Sequence, residues 1–166
     1  LGSDRVITGH RMISFASTDR HATAIFESTG TKSEAVQSDL LICADGIHSA
    51  AREQMYPNEG APIYSGRLLW RATSLAKPYL SGASMIMAGY EDQKFVCYPI
   101  EGARDDGLQR INWIAELRRP LPDRAQGWSR EGNIDDFLPQ FADWKFDWLD
   151  VPGLICGAER IYEYPM

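Results

Sequence analysis

The chain of 166 residues is long enough for one ordinary domain with a sizeable core, or for two small lobes. Its apolar share of 44% and charged share of 24% exclude a disordered chain. Seventeen basic against 23 acidic residues give a net charge of −6, which argues against a nucleic-acid surface, and the longest apolar run, 40–44, is too short to span a bilayer.

The sequence begins without Met and without a signal-peptide layout, and it runs directly into a strand pattern, so an internal fragment or a trimmed chain is expected. Residues 5–17 ("RVITGHRMISFAS") and 22–28 ("ATAIFES") read as β-rich runs split by polar "TDRH", and 29–38 as a turn-bearing connection. The run 40–44 ("LLICA") is apolar without alternation, the pattern of a strand buried on both faces of a parallel sheet. Asp45-Gly46 ends it, and a short helix is expected over 49–55, before Pro57 and the loop "PNEGAP".

From residue 63 the texture changes. "IYSGRLLWRATS", "ASMIMAGY", "KFVCYPI" and "RINWIAEL" are four strand candidates joined by short turns, which together predict an antiparallel sheet. A helix follows, with Asn133 able to cap it and Ile134, Phe137, Leu138, Phe141 and Trp148 near one face; Pro139 should kink or split it. A second helix is expected from Asp150 and Pro152 to about Ala158, and "RIYEYPM" reads as a last strand. The expected fold is mixed α+β in two parts: 1–60 with α/β character, and 61–166 as an antiparallel sheet with helices. The three cysteines (43, 97 and 156) are widely spaced and form no CxxC, which argues against zinc or a disulfide framework and fits a reducing cytoplasm. Cys43 and Cys97 stand in apolar runs and read as small hydrophobes.

The strand–turn–helix at 40–55 carries the chemistry. A helix start at the end of a buried strand offers N–H groups to an anion. Asp45 could accept hydrogen bonds from ribose or ribitol hydroxyls, Gly46 would let a bulky ligand approach the backbone, Ser49 can cap the helix, and Arg52 could pair with a phosphate or carboxylate. The same residues also describe a plain corner, with an Asp-Gly turn, a Ser cap and Arg52 bridging to Asp45; spacing leaves both readings open. A hydrolase triad of Asp45, His48 and Ser49 is disfavoured, because neighbouring residues diverge and no GxSxG is present. A metal site at Asp45 and His48 lacks further ligands at suitable spacing.

"DLLICADGIHSAAR" resembles the Asp-Gly motif of the class A FAD-dependent aromatic hydroxylases, such as the para-hydroxybenzoate and salicylate hydroxylases, at Ala44, Asp45, Gly46, Ile47, Ser49 and Arg52. "GRLLWRATS", "MIMAGYEDQKFVCYPI", "NWIAELRRP", "DFLPQFADWKFDWLDVP" and "IYEYPM" look like the middle section of the phenazine-modifying subgroup, so the resemblance covers nearly the whole chain. It implies that Asp45, Gly46, Ser49 and Arg52 belong to an FAD site also used by NAD(P)H, and that the later sheet is the substrate domain. The implied reaction is reduction of FAD by NAD(P)H and oxygen transfer from a flavin hydroperoxide to an aromatic ring. Two departures stand out: Cys43 replaces the usual Gly before Ala-Asp-Gly, and the family's N-terminal GxGxxG and later Gly-Asp motif are absent. The chain therefore reads as the middle of such an enzyme, expected neither to retain FAD nor to turn over alone.

Alternate residues of a strand share a face. In "RLLWRATS", Leu68, Trp70 and Ala72 point one way and Leu69, Arg71 and Thr73 the other. Met85, Met87 and Gly89 share a face, as do Phe95, Cys97 and Pro99. Arg71 is the candidate anchor for a substrate carboxylate, though an ion pair on an outer face would explain it equally. Trp70, Met87 and Tyr98 are candidate walls of an aromatic pocket, with core packing as the alternative for each. Trp113, Trp144 and Trp148 are assigned to the core between sheet and helices. No catalytic residue is assigned. The partner expected is a small aromatic substrate, with no nucleic acid and no membrane. Two further readings are an aromatic-binding module without catalysis, and a flavin oxidoreductase that does not hydroxylate.

Overall fold

The computed structural model describes residues 2–28, 31–120 and 130–166. It falls into two compact units, Leu1–Pro62 and Ile63–Met166. Sheet dominates both, and every helix among the described residues is short.

The first unit is an antiparallel meander of β1 (His10–Ser17), β2 (Ala22–Ser28) and β3 (Thr31–Ser38), followed by α1 (Ala50–Met55). The connection expected over 29–38 is thus largely a third strand. Alternation explains the buried side of β2, where Ala22 and Ala24 face inward. Gln54 holds the helix to the sheet, its side-chain oxygen accepting from the Phe15 N–H at 3.0 Å and its Nε2 donating to the Phe15 carbonyl at 2.5 Å.

The buried strand expected at 40–44 is not formed. These residues carry no strand, Leu40 and Ile42 are 72% and 79% exposed, and Cys43 is exposed as well. An unalternating apolar run records a capacity for burial. A strand also needs neighbours to take its N–H and C=O groups, and no described strand flanks this one.

The second unit is built on a five-stranded antiparallel sheet, in the order β10-β4-β7-β6-β5. Its strands are β4 (Arg67–Ala76), β5 (Ile86–Gly89), β6 (Gln93–Pro99), β7 (Gln109–Arg118) and β10 (Tyr162–Pro165). Gly89, at a φ of 100°, closes β5 before the hairpin. A Cβ there would run into the Gln93 carbonyl and the Trp144 ring, so only glycine fits.

One face of this sheet carries the core. In register, Trp70 pairs with Ala115 and Ala115 with Phe95, while Ala72 pairs with Trp113 and Trp113 with Cys97. All six are buried, and Phe137, Phe141, Val151, Leu154 and Ile155 cover them. The covering layer is a 3-10 turn (Ile134–Asp136), α2 (Leu138–Phe141), the ribbon β8 (Lys145–Phe146) with β9 (Leu149–Asp150), and α3 (Val151–Cys156). Asn133 caps the turn by accepting from the Asp135 N–H, and Asp150 caps α3 by accepting from the Gly153 N–H at 3.0 Å. Phe137 breaks the helical run, so Pro139 stands in the first turn of α2, where its missing N–H costs nothing. Phe137 stacks on Trp70 with ring centroids 4.7 Å apart. Of the tryptophans assigned to the core, Trp113 is buried and Trp144 packs at its margin. Trp148 is 41% exposed and stacks instead on Phe146.

Candidate functional site

Two places gather the residues singled out from sequence. The first is the turn before α1. Ser49 caps α1, its Oγ accepting from the Arg52 N–H at 3.0 Å. The Asp45 carboxylate takes the Ala51 N–H at 3.4 Å. The Ser49 hydroxyl, donating to Asp45, holds that carboxyl below its ordinary value of 3.8, so Asp45 is ionised at neutral pH. Gly46 has a φ of 80°, and a Cβ there would meet nothing. Arg52 pairs with Glu59 at 2.7 Å, not with Asp45.

These contacts decide which ligand groups the turn suits. The N–H groups of Ala51 and Arg52 already have acceptors and Arg52 has its own carboxylate, which leaves little for a phosphate. Asp45 is exposed, anionic and beside an unobstructed glycine, a suitable acceptor for ligand hydroxyls.

The second place is the face of the five-stranded sheet turned away from the core. Arg71 pairs across β4 and β7 with Ile114, and Ile114 with Val96; Thr73 pairs with Asn112, and Asn112 with Tyr98. Met87 pairs with Val96, and Tyr162 with Arg71. Arg71, Met87 and Tyr98 therefore share one face, with Asn112 and Tyr162. Trp70 stands on the other face, 1% exposed, donating its Nε1–H to Glu163 at 3.1 Å. It is a core residue and cannot wall a surface together with Arg71.

A groove of about 440 Å³ opens on this face, lined by Arg71, Tyr98, Arg110, Asn112, Arg160 and Tyr162 among others. That is room enough for a small planar molecule. Arg71 is exposed, and its Nε–H donates to Asn112 Oδ1 at 3.3 Å. Its terminal nitrogens make no hydrogen bond to a described residue. Arg110 faces Glu101 at 3.7 Å and Arg160 faces Glu131 at 3.8 Å, loose pairs at the rim that water screens. Met87 is exposed beyond the groove, in the edge strand β5. The sequence reading overlooked Asn112, Arg110, Arg160 and Tyr162. Alternation from Trp113 would have placed Asn112 and Arg110 on the open face. Arg160 and Tyr162 depend on β10 lying beside β4, a pairing no local pattern encodes.

No family model matches the chain. The whole chain aligns, at 34% identity over 172 positions, with phenazine 1,6-dicarboxylic acid hydroxylase PhzS of Lysobacter antibioticus. Over 121 positions, 67% of the chain, it is 31% identical to the FAD-dependent monooxygenase nodY2 of Hypoxylon pulicicidum. Its homologues are FAD-dependent monooxygenases. The chain spans 42% of the length of the first of these relatives and 26% of the second. Its fold is similar to part of Klebsiella pneumoniae HpxO, solved with FAD and uric acid, with a TM-score of 0.62 at 20% identity over 99% of the chain and 39% of HpxO.

Proposed function

We propose that this chain is the middle section of an FAD-dependent monooxygenase that hydroxylates a small aromatic carboxylate at the expense of NAD(P)H. The observation that carries the reading is the groove on the open sheet face. It combines tyrosine and aliphatic side chains, Tyr98, Tyr162, Leu75 and Ile100, with an arginine whose terminal nitrogens bond no described residue, and the chain is homologous along its whole length to a hydroxylase of a phenazine dicarboxylate.

In this reading Arg71 binds a ring carboxylate through its terminal nitrogens and fixes the ring's orientation on the sheet. Tyr98 and Tyr162 flank the ring, Met87 extends the apolar surface, and the sheet excludes water from one side. Asp45 accepts hydroxyls of FAD beside Gly46, and Ser49 holds the turn in shape. The flavin supplies the redox and oxygen chemistry; the chain binds and orients. Arg52 serves FAD only if it leaves Glu59, an exposed pair worth no more than about 1 kcal/mol.

The test is made on the complete protein, with the sequence that flanks this chain. A flavin spectrum, and NAD(P)H consumption stimulated by phenazine-1,6-dicarboxylate with matching hydroxylated product, are expected. Arg71→Ala should raise KM for the dicarboxylate at least tenfold with flavin content unchanged. A colourless protein that still binds aromatics would make it a binding module. Flavin reduction that yields only peroxide with every aromatic acid would make it an oxidoreductase without hydroxylation. Either result overturns the reading.

A further inference from the structure

Asn112 is the most deeply buried polar residue of the groove, 3% exposed in the middle of β7 between Thr73 and Tyr98 of the neighbouring strands. Its Oδ1 accepts from Arg71 Nε. Because a guanidinium can only donate, that contact fixes the amide's orientation. Its Nδ2 is left without a partner among the described residues. A buried amide donor with nothing to bond destabilises the fold, and an apolar residue of similar size would avoid that cost.

We propose that Asn112 is a substrate-contacting specificity residue. Its Nδ2 donates to one oxygen of a ring carboxylate while Arg71 takes the other, so that the groove selects planar aromatic acids over uncharged aromatics. The inference rests on the open face being the substrate face. Asn112 acts on both partners of the contact: Oδ1 holds Arg71 by its Nε–H and leaves the terminal nitrogens for the ligand, and Nδ2 reads the ligand itself. A site that hydrogen-bonds its ligand rejects the analogue lacking that group, since its own buried donor is then left unpaired.

The probes are phenazine-1-carboxylate and unsubstituted phenazine, titrated calorimetrically into the full chain. Asn112→Asp keeps an oxygen to hold Arg71, removes the donor and adds a negative charge. It should weaken the carboxylate at least tenfold and leave phenazine unchanged. In nitrogen–proton spectra the Asn112 side-chain amide should shift with the carboxylate and stay still with phenazine. Asn112→Leu should lose the carboxylate preference while its Tm holds or rises, because the orphaned donor is gone. Full carboxylate affinity in Asn112→Asp, with Arg71→Ala weakened, overturns this inference alone. Full affinity in Arg71→Ala overturns the substrate-face reading. A lowered Tm with unchanged affinity in Asn112→Leu would mark Asn112 as structural, and a wild-type chain indifferent to the carboxylate overturns the proposal outright.

Discussion

Ser74 joins the core helix to the sheet through one hydroxyl, and its removal tests the architecture of the second unit. The side chain is 2% exposed. Its Oγ–H donates to the Leu154 carbonyl at 2.6 Å, and its oxygen accepts the Trp113 Nε1–H at 2.9 Å. Ser74→Ala orphans both groups in a site closed to water. At about 1–3 kcal/mol for each of the two orphaned groups, the expected cost is about 2–6 kcal/mol. With a urea slope of about 2 kcal/mol/M, the unfolding midpoint should fall by about 1–3 M with the slope unchanged. All five tryptophans lie after residue 63 in the sequence, so their fluorescence follows the second unit alone. Trp113→Phe removes the indole donor. In a double-mutant cycle the combined variant should therefore cost about 1–3 kcal/mol less than the sum of the single changes. A Ser74→Ala midpoint equal to wild type, or a cycle that sums, would refute the claim that this hydroxyl ties α3 to β4 and β4 to Trp113 of β7.

Burial raises the Tyr79 phenol above its ordinary value of 10.0 and the Cys97 thiol above 9.0. The unfolded chain releases both protons first, so stability should be level through neutral pH and fall as pH rises past about 9. Urea midpoints measured between pH 7 and 11 check this, and Tyr79→Phe should remove the part of the slope above about pH 10. In the complete protein, Asp45→Ala should weaken FAD binding; a flavin content equal to wild type counts against the role given to that carboxylate. Buried apolar residues in the first unit are the alanines 22, 24 and 51 alone among those described, whereas the second unit buries Trp70, Trp113, Phe95, Phe137 and Phe141. Hydrogen exchange should accordingly be faster by orders of magnitude in β1–β3 than in β7, and equal protection would contradict this division of stability.

What the sequence disclosed followed from short-range rules. Ser49, Asn133 and Asp150 are caps because their side chains reach N–H groups two or three residues ahead, and the structure uses all three. Alternation separated Trp70 from Arg71 and sent them to opposite faces of β4. What it hid depends on residues far apart in the chain. The run 40–44 has the composition of a buried strand, yet pairing is supplied by other strands and composition does not report it. Trp148 lies near the right helical face, but the break at Phe137 and the ribbon β8–β9 take it out of phase, and it ends up against Phe146. The groove needs β10 beside β4, which brings Tyr162 opposite Arg71 across 91 residues of chain.

The two faces of the five-stranded sheet divide the work of the second unit. The core face takes the large aromatics and gives its indoles partners: the Trp70 indole meets Glu163, the Trp113 indole meets Ser74, and Glu163 also meets Arg130 at 3.2 Å. Gln109, on the same side of β7 at its first residue, keeps a buried oxygen without a described partner while its amide nitrogen donates to the Gly82 and Glu101 carbonyls. On the open face Arg71 stands exposed with its terminal nitrogens bonded to no described residue, and Asn112 buries an amide donor that meets none of the described residues. A leucine at 112 would remove that orphaned donor by the same rules that explain the other face. A buried donor held at a cost to the fold, beside an arginine hydrogen-bonded to the same amide, is what the proposed ligand role accounts for.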